Sequence, residues 1–489
     1  MITLPSEFEH TANTLADIAR DLQSAGADSA ILKMLAKNNN DKNQVYFASD
    51  FSGLHRNFAL TFADRGASSS QTKDLSAPGR KIPEAVFDDF VWVRRDGSTV
   101  KARNVKAIIY PQYPEARLSG FQTFENSMPQ SLSVAYTIAH PDTPRLLVLG
   151  KRAGGACVAL IYIGISAELQ KEISRLPGLE SSRVCKVLQL QGSSTQKLFG
   201  MLSSVVSRPL RGCRLDSSGN TLPFTGTQVC GYTLEHALGI RPNAGKDGDI
   251  FGIELKVHTQ EKVTLFTPEP DFGLYTESFE GFMRQYGYPD EDGAIRLTGI
   301  HRSNIRCPKS GLTLKVREFR PFQDAAGKWQ WEKDQNGKRI AFAYDPTTAL
   351  TAKMDAVEIV LEDDQGFVAA GWSLERLMNN WGVKHNEAVY LSAAKRLNPN
   401  ADEFAGGYKY EIEFAPAAIW CRGTSAERML KAISDGIIFL DPAPKFVEGI
   451  PSKNKRRAQW RVNDIGTAVH ALYESVEMRD LSGNAPAHA

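Results

Sequence analysis

Between residues 231 and 258 the chain reads GYTLEHALGIRPNAGKDGDIFGIELKVH, and the end of that stretch leaves the backbone little choice. Ile253, Leu255 and Val257 alternate with Glu254 and Lys256, the period-2 pattern of a strand with one face in a core. An acid and an amine therefore leave one strand face side by side, and three aliphatic side chains demand cover on the other. Asp249 follows the Gly-rich turn 244–248 and stands where the strand begins, or just before it; Glu235 lies one helix upstream. Two converging carboxylates make an all-oxygen site that suits Mg²⁺, an ion that keeps several waters and takes phosphate as a co-ligand. A lysine beside such an ion orients and helps to deprotonate a water, and offsets charge growing on a phosphate. That combination points to phosphodiester hydrolysis. The spacing D-x4-E-x-K is short, however, and a surface strand carrying a salt bridge would look the same.

The surroundings carry more. In one order come G-x-T-L-E-x-x-L-G (Gly231, Thr233, Leu234, Glu235, Leu238, Gly239), Asp249, I-E-L-K at 253–256, VTLFT at 263–267, a helical stretch through 279–286, and Arg422-Gly423. Together these resemble the PD-(D/E)XK nucleases, and within them the MutH and MvaI/BcnI groups, over roughly residues 190–480. The D-to-E interval is similar to that of MvaI/BcnI enzymes, and the T-L-E helix to that of MutH. The resemblance implies an α/β, restriction-endonuclease-like (MutH-like) catalytic domain with a mixed central sheet over 183–482. It implies Asp249 and Glu254 as metal ligands, with Lys256 positioning the attacking water and stabilising a phosphorane-like transition state. Glu235 becomes an outer carboxylate supporting the metal or Lys256, although an acid in the first turn of a helix also favours the helix dipole without any catalysis. Further implied are Mg²⁺ as cofactor with Mn²⁺ able to substitute, double-stranded DNA as substrate, and products with a 3′-hydroxyl and a 5′-phosphate. A type II restriction enzyme acting as a monomer, with a cognate DNA methyltransferase, completes the expectation.

Composition adds limits. At 489 residues, 42% apolar and 23% charged, the chain has the size of two or three domains. A net charge of +2 creates no global field, so DNA must be held by local clusters. Six dispersed cysteines without a C-x-x-C pair argue against a disulfide framework or a zinc ribbon, and for a reducing, cytoplasmic setting. The start MITLPSEFEH lacks a signal-peptide pattern, and the most apolar run, 156–165, is too short to span a bilayer.

Residues 1–182 read as a separate α+β domain. Expected are a helix over 8–25, strands 31–35 and 44–48 around the Asn-rich turn 37–42, a long polar loop over 51–81, and strands at 90–94, 107–110, 146–149 and 157–165. Its role, DNA-binding or regulatory, stays open. Arg94, Arg95, Lys101, Arg103 and Lys106 beside Trp92 suit phosphate contact or, equally simply, a solvated hairpin face; the aromatic and Pro-rich stretch 110–121 is as ambiguous.

In the second part a helix is expected over 188–207, and 263–266 as the next member of the catalytic sheet. A helix over 277–286 follows, then strands at 312–319, 329–331, 340–344, 356–361 and 367–371. Next come a helix capped by Ser373, a strand at 408–414, a helix at 426–435 and a strand at 437–440. The loop 300–309 offers His301, Arg302, Arg306 and Lys309 to phosphates. The densest basic run, PSKNKRRAQWR at 451–461, supplies Lys453, Lys455, Arg456, Arg457 and Arg461. A solvated loop is its plain reading. In the MvaI/BcnI-like pattern this late loop and strand enter the major groove, and Arg461 in W-R-V-N matches best. The loop lacks the histidines of that pattern, so no recognition sequence is carried over. His258 shares the face of Glu254 and Lys256 under strict alternation, and either approaches the DNA or is a satisfied neighbour. A disordered tail is expected at 483–489. Rival functions are a MutH-like nicking enzyme in repair or phage defence, a modification-dependent nuclease, and an inactive DNA-binding protein; the intact Asp249, Glu254 and Lys256 argue against the last.

Overall fold

Stretches that are apolar at every position need cover on both faces, and the first sheet is built around two of them. The computed structural model describes residues 4–36, 44–65, 82–110, 115–179, 182–190, 194–240 and 249–482. At the sheet's centre Arg145–Lys151 pairs antiparallel with Cys157–Ile163, both almost wholly buried. Ser29–Leu35 and then Cys185–Gln189 extend it on one side, Phe90–Val93 and Thr99–Lys101 on the other, and Glu9–His10 runs parallel beside Cys157–Ile163. Leu146, Val148, Val158 and Leu160 face helices Leu15–Ser24 and Ala167–Ser174 through Ile18, Leu22, Leu169 and Ile173. Leu147, Leu149, Ala159 and Ile161 point the other way into the main core. A second, fully antiparallel sheet runs Val45–Ala48, Glu115–Ser119, Lys106–Tyr110, Pro83–Phe87, Leu60–Asp64.

Several expectations for this segment change. The first helix starts at Leu15, because Thr14 and Asp17 form a reciprocal capping box there, and residues 9–10 are strand. Ser29–Leu35 and Val45–Ala48 are strands of different sheets, not a hairpin, and the turn 37–42 lies outside the described residues. Within 51–81 a helix Ser52–Asn57 and a strand Leu60–Asp64 replace loop, since Phe51, Leu54, Phe58, Leu60 and Phe62 all go inside; 66–81 is not described. Trp92 is fully buried and donates its Nε1–H to Phe121 O. The cations near it are mostly held by neighbours: Arg94 by Glu7 and Glu125, Lys101 by Asp89, Lys106 by Glu84, and Arg103 by Asn126.

The stretch with Glu254 and Lys256 belongs to a mixed five-stranded sheet. Glu254–His258 pairs parallel with Glu387–Leu397, which pairs antiparallel with Tyr410–Arg422; Leu210–Arg211 and Ser475–Asp480 both add to the latter. Ile253 is buried, and Ile253, Leu255 and Val257 pack with Leu198 and Leu202 of helix Ser194–Val206 and Leu234 of helix Val229–Ala237. Burying a leucine of this kind stabilises by about 1.5–3 kcal/mol. Residues 188–189 are strand, not helix, and carry the first sheet past residue 182.

Val263–Phe266 is a strand, but not a member of this sheet: it pairs with Trp460–Val462, which pairs with Phe439–Leu440. Alternation reveals a strand without naming its partner, and here the partner comes from more than a hundred residues downstream. The helix over 277–286 divides into Leu274–Glu277 and Phe279–Tyr286, the second capped by Ser278. Thr313–Phe319, Val357–Glu362, Val368–Ser373 and Ala341–Ala343 form a four-stranded antiparallel sheet, and Trp329–Trp331 pairs with Pro321–Gln323. Ser373 caps helix Leu374–Met378, and Ala426–Ser434 is helical. One buried cluster joins both halves of the chain, from Phe8 and Trp92 through Trp372 and Trp460 to Tyr473. Among the described residues no helix is long and apolar enough to cross a membrane. The tail 483–489 lies outside them.

Candidate active site

The strand face expected to carry chemistry does hold its acid and amine together. Glu254 is 2% exposed, and Lys256 Nζ lies 2.6 Å from its Oε1. Both sit opposite the parallel strand, Glu254 beside Ala388 and Lys256 beside Tyr390. Asp249 is the first residue described after 240, since the Gly-rich stretch 244–248 lies outside the described residues, and its Oδ2 accepts the Leu255 N–H at 2.8 Å. A tight turn separates the two carboxylates: Ile253 N–H donates to Ile250 O at 2.9 Å and Ile250 N–H to Ile253 O at 3.3 Å, with Phe251 and Gly252 both at positive φ. That is the pattern of a two-residue turn of the I′ kind. Asp249 and Glu254 thus bracket one hairpin tip.

Electrostatics tie Glu235 to the same place. Burial pulls the Lys256 ammonium down, but the charges of Glu254, Asp249 and Glu235 outweigh it and hold its pKa above the usual lysine value. Lys256 is therefore an ammonium at neutral pH, a donor and a positive charge. Glu235 belongs to helix Val229–Ala237, which packs on the strand. Behind Glu254 stand Tyr390 and Tyr473, their hydroxyls 3.0 Å apart; burial above all raises both phenols, and the Glu254 charge adds to it. Sequence reading missed both. The strand-forming run AVYLSAA at 388–394 was the available signal for Tyr390.

Oxygen donors from Asp249 and Glu254 at one turn suit a hard divalent ion that completes its shell with water and phosphate. Among the described residues no group of three or more His, Cys, Asp or Glu is gathered as a closed metal cage.

The residues expected to meet DNA are dispersed. His258, at the strand's end, has Nδ1 2.9 Å from Gln260 O, so it closes the following turn. Arg461 donates through Nε to Thr264 Oγ1 and through an Nη to Asp441 Oδ2, each at 2.8 Å, and Lys262 joins the same Asp441 oxygen at 2.9 Å. Burial opposes it, yet these two cations hold the Asp441 carboxyl below the usual range. Arg456 lies over Tyr275 and Phe279, 5.1 and 4.6 Å from their ring centres. Lys453, Lys455 and Arg457 are exposed. Arg302 bonds Gly436 O and stacks on Phe439; Arg306 grips Asp364 with two nitrogens at 2.9 Å each. Arg422 holds Ser475 and Glu477, while Gly423, at positive φ, bonds Asn386 O.

With this geometry in hand, the chain can be set beside known proteins. A sequence model of the MvaI/BcnI restriction endonuclease family matches residues 216–473, more than half of the chain and the whole of the site just described apart from its outlying supports. Two solved structures are similar to it. The restriction endonuclease MvaI–cognate DNA substrate complex has 15% identity and a TM-score of 0.39, covering 59% of this chain and 99% of that one. Restriction endonuclease MvaI in the absence of DNA has 15% identity and a TM-score of 0.30, covering 60% and 99%. Among curated proteins no sequence matches. On the family match, this chain belongs to the MvaI/BcnI restriction endonuclease family.

Proposed function

We propose that the protein is a Mg²⁺-dependent, sequence-specific endonuclease of type II that hydrolyses both strands of double-stranded DNA. The observation that carries this reading is the pairing of Glu254 and Lys256 on one strand face, with Asp249 across a two-residue turn. Asp249 and Glu254 would hold the ion, and Mn²⁺ would substitute. When bound, the ion polarises a phosphoryl oxygen and makes a water acidic. Lys256, as an ammonium, donates to the water or to a non-bridging oxygen and offsets the negative charge that builds during in-line attack. Glu235 acts at one remove, through its charge on Lys256. Burial of Glu254 keeps bulk water from screening these charges.

DNA would be held by local clusters rather than by a global field. The exposed run with Lys453, Lys455, Arg456 and Arg457 is the phosphate-facing candidate. Arg461 is the candidate for reading a base edge, held in place by Thr264 and Asp441. Arg302, Arg306 and His258 have protein partners in this structure and would contact DNA only by exchanging them. All six cysteines are free and buried, which supports a reducing, cytoplasmic setting. A monomer acting on each strand in turn, and a methyltransferase protecting host sites, follow from the same reading. The test is to digest a mixed DNA substrate with Mg²⁺ and sequence the product ends. Fixed sites with 5′-phosphates on both strands are expected. Persistent nicked circles would favour the nickase instead, and cutting confined to methylated DNA would favour a modification-dependent enzyme.

A further inference from the structure

The family match begins at residue 216, so the first half of the chain has no role assigned by it. The structure puts part of that half against the catalytic turn. Gly252, at the tip between Asp249 and Glu254, has φ +76°; a Cβ added there would lie 3.0 Å from Gly154 N and 3.6 Å from Ala153 Cα. The tip therefore rests backbone to backbone on the turn Ala153–Gly155, where Gly154 is itself at φ 76°. Phe251 beside it is at φ 54°, a conformation that a bulky residue keeps only when its surroundings hold it. The tip also borders open space. Phe251 and Ile253 line a cavity of about 580 Å³, bounded by Asp28, Asn57 and Lys151 from the first half and by Glu387 and Arg422 from the second. The Ala153–Gly155 turn is thus the seat of a hairpin tip whose neighbours Phe251 and Ile253 border that space.

The seat is itself anchored close by. His55 lies so near Gly382 that a Cβ there would overlap its ring, and its Nε2–H donates to Met378 O at 3.0 Å. Asn379 bonds both backbone groups of Phe62, at 2.8 and 3.2 Å, and Arg56 meets Glu474 at 2.9 Å. These contacts flank the helix Val383–Asn386, which leads directly into Glu387–Leu397, the strand paired with Glu254–His258.

We infer that the N-terminal segment is a working part of the nuclease site, with Gly154 a positioning residue that sets the separation of Asp249 and Glu254. The inference rests on the metal-holding reading of those two carboxylates. Gly154 touches neither DNA nor metal; it acts through the turn. Gly154→Asn tests it, because asparagine tolerates a left-handed backbone while putting a side chain on the turn that seats the tip. Single-turnover cleavage at saturating DNA should fall at least tenfold, and the Mg²⁺ concentration for half-maximal rate should rise. DNA binding measured in Ca²⁺ and the thermal midpoint should stay near wild type. Gly97→Ala is the control for backbone strain, since Gly97 is at φ +83° with nothing within 4 Å. It should cut at the wild-type rate. If Gly154→Asn does not fold, Gly154→Ala should show the same changes in smaller measure. A folded Gly154 variant with wild-type rate and Mg²⁺ requirement, beside a wild type that cuts, overturns this inference alone. So does a variant that loses rate and DNA affinity together at an unchanged Mg²⁺ requirement. A wild type that never cuts overturns the metal reading, and this with it.

Discussion

Acidification should loosen the seam that His55 closes, by an amount the structure allows to be worked out. His55 is 3% exposed, its ring edge-on to Phe62 at 4.8 Å, and its Nε2–H donates to Met378 O. Burial pushes its pKa down from 6.5 to about 4, against the carbonyls of Met378 and Trp381, which favour the charged ring. The folded protein thus holds His55 neutral, while the unfolded chain takes up a proton below pH 6.5. This contribution to stability is complete above pH 6.5 and is lost as pH falls through about 4. At roughly 1.36 kcal/mol per pH unit, the gap amounts to about 3 kcal/mol. Carboxylates titrate over the same range, so the assay is a difference. Urea unfolding of wild type and His55→Phe is followed from pH 7 to pH 4.5, and the two free-energy curves are subtracted. The gap in favour of wild type should shrink by about 2.5 kcal/mol across that range. A difference that stays flat would refute the argument from burial.

Leu234→Ala should cost about 2–5 kcal/mol in denaturant unfolding, because Leu234 is 1% exposed between the helix of Glu235 and the strand Glu254–His258. Arg461→Ala should relax sequence choice at one base pair by about 1–3 kcal/mol, read by competition between cognate and singly altered sites; an equal loss on every sequence would assign Arg461 to phosphate. Lys455→Ala, at an exposed position of the basic run, should weaken binding on all sequences and lower the salt slope by about 1 in a titration series.

How much of this was legible in the residues depends on the range of the interaction that decides each feature. The pairing of Glu254 with Lys256 is local: a period of two puts both on one face, and the structure finds them 2.6 Å apart. The placing of Ser373 and the helix Leu374–Met378 after it is local too, set by one hydroxyl and one backbone N–H. Strand partners are not. Val263–Phe266 follows Glu254–His258 in sequence yet pairs with Trp460–Val462, while Glu387–Leu397 supplies the neighbour of Glu254–His258 from far away. The order in 51–65 shows another limit: Phe51, Leu54 and Phe58 stand at helical spacing and Leu60 and Phe62 alternate, but each run is too short to separate from loop without the neighbours that bury it. Cations were the least legible. Arg302 and Arg306 stand in a basic loop that invites a phosphate, but a guanidinium finds the nearest carbonyl, carboxylate or aromatic face, and composition does not say which.

The claim on which the account stands is that Glu254 and Lys256, side by side on one strand, act on the phosphodiester bond. It is met most directly by purified Glu254→Ala and Lys256→Ala incubated with plasmid DNA and Mg²⁺, each beside a DNA-binding measurement in Ca²⁺. Both variants are expected to bind DNA close to the wild-type level and to produce neither nicked nor linear product, with rates down by at least about 10²–10³-fold. Cleavage at the wild-type rate by either variant would contradict it.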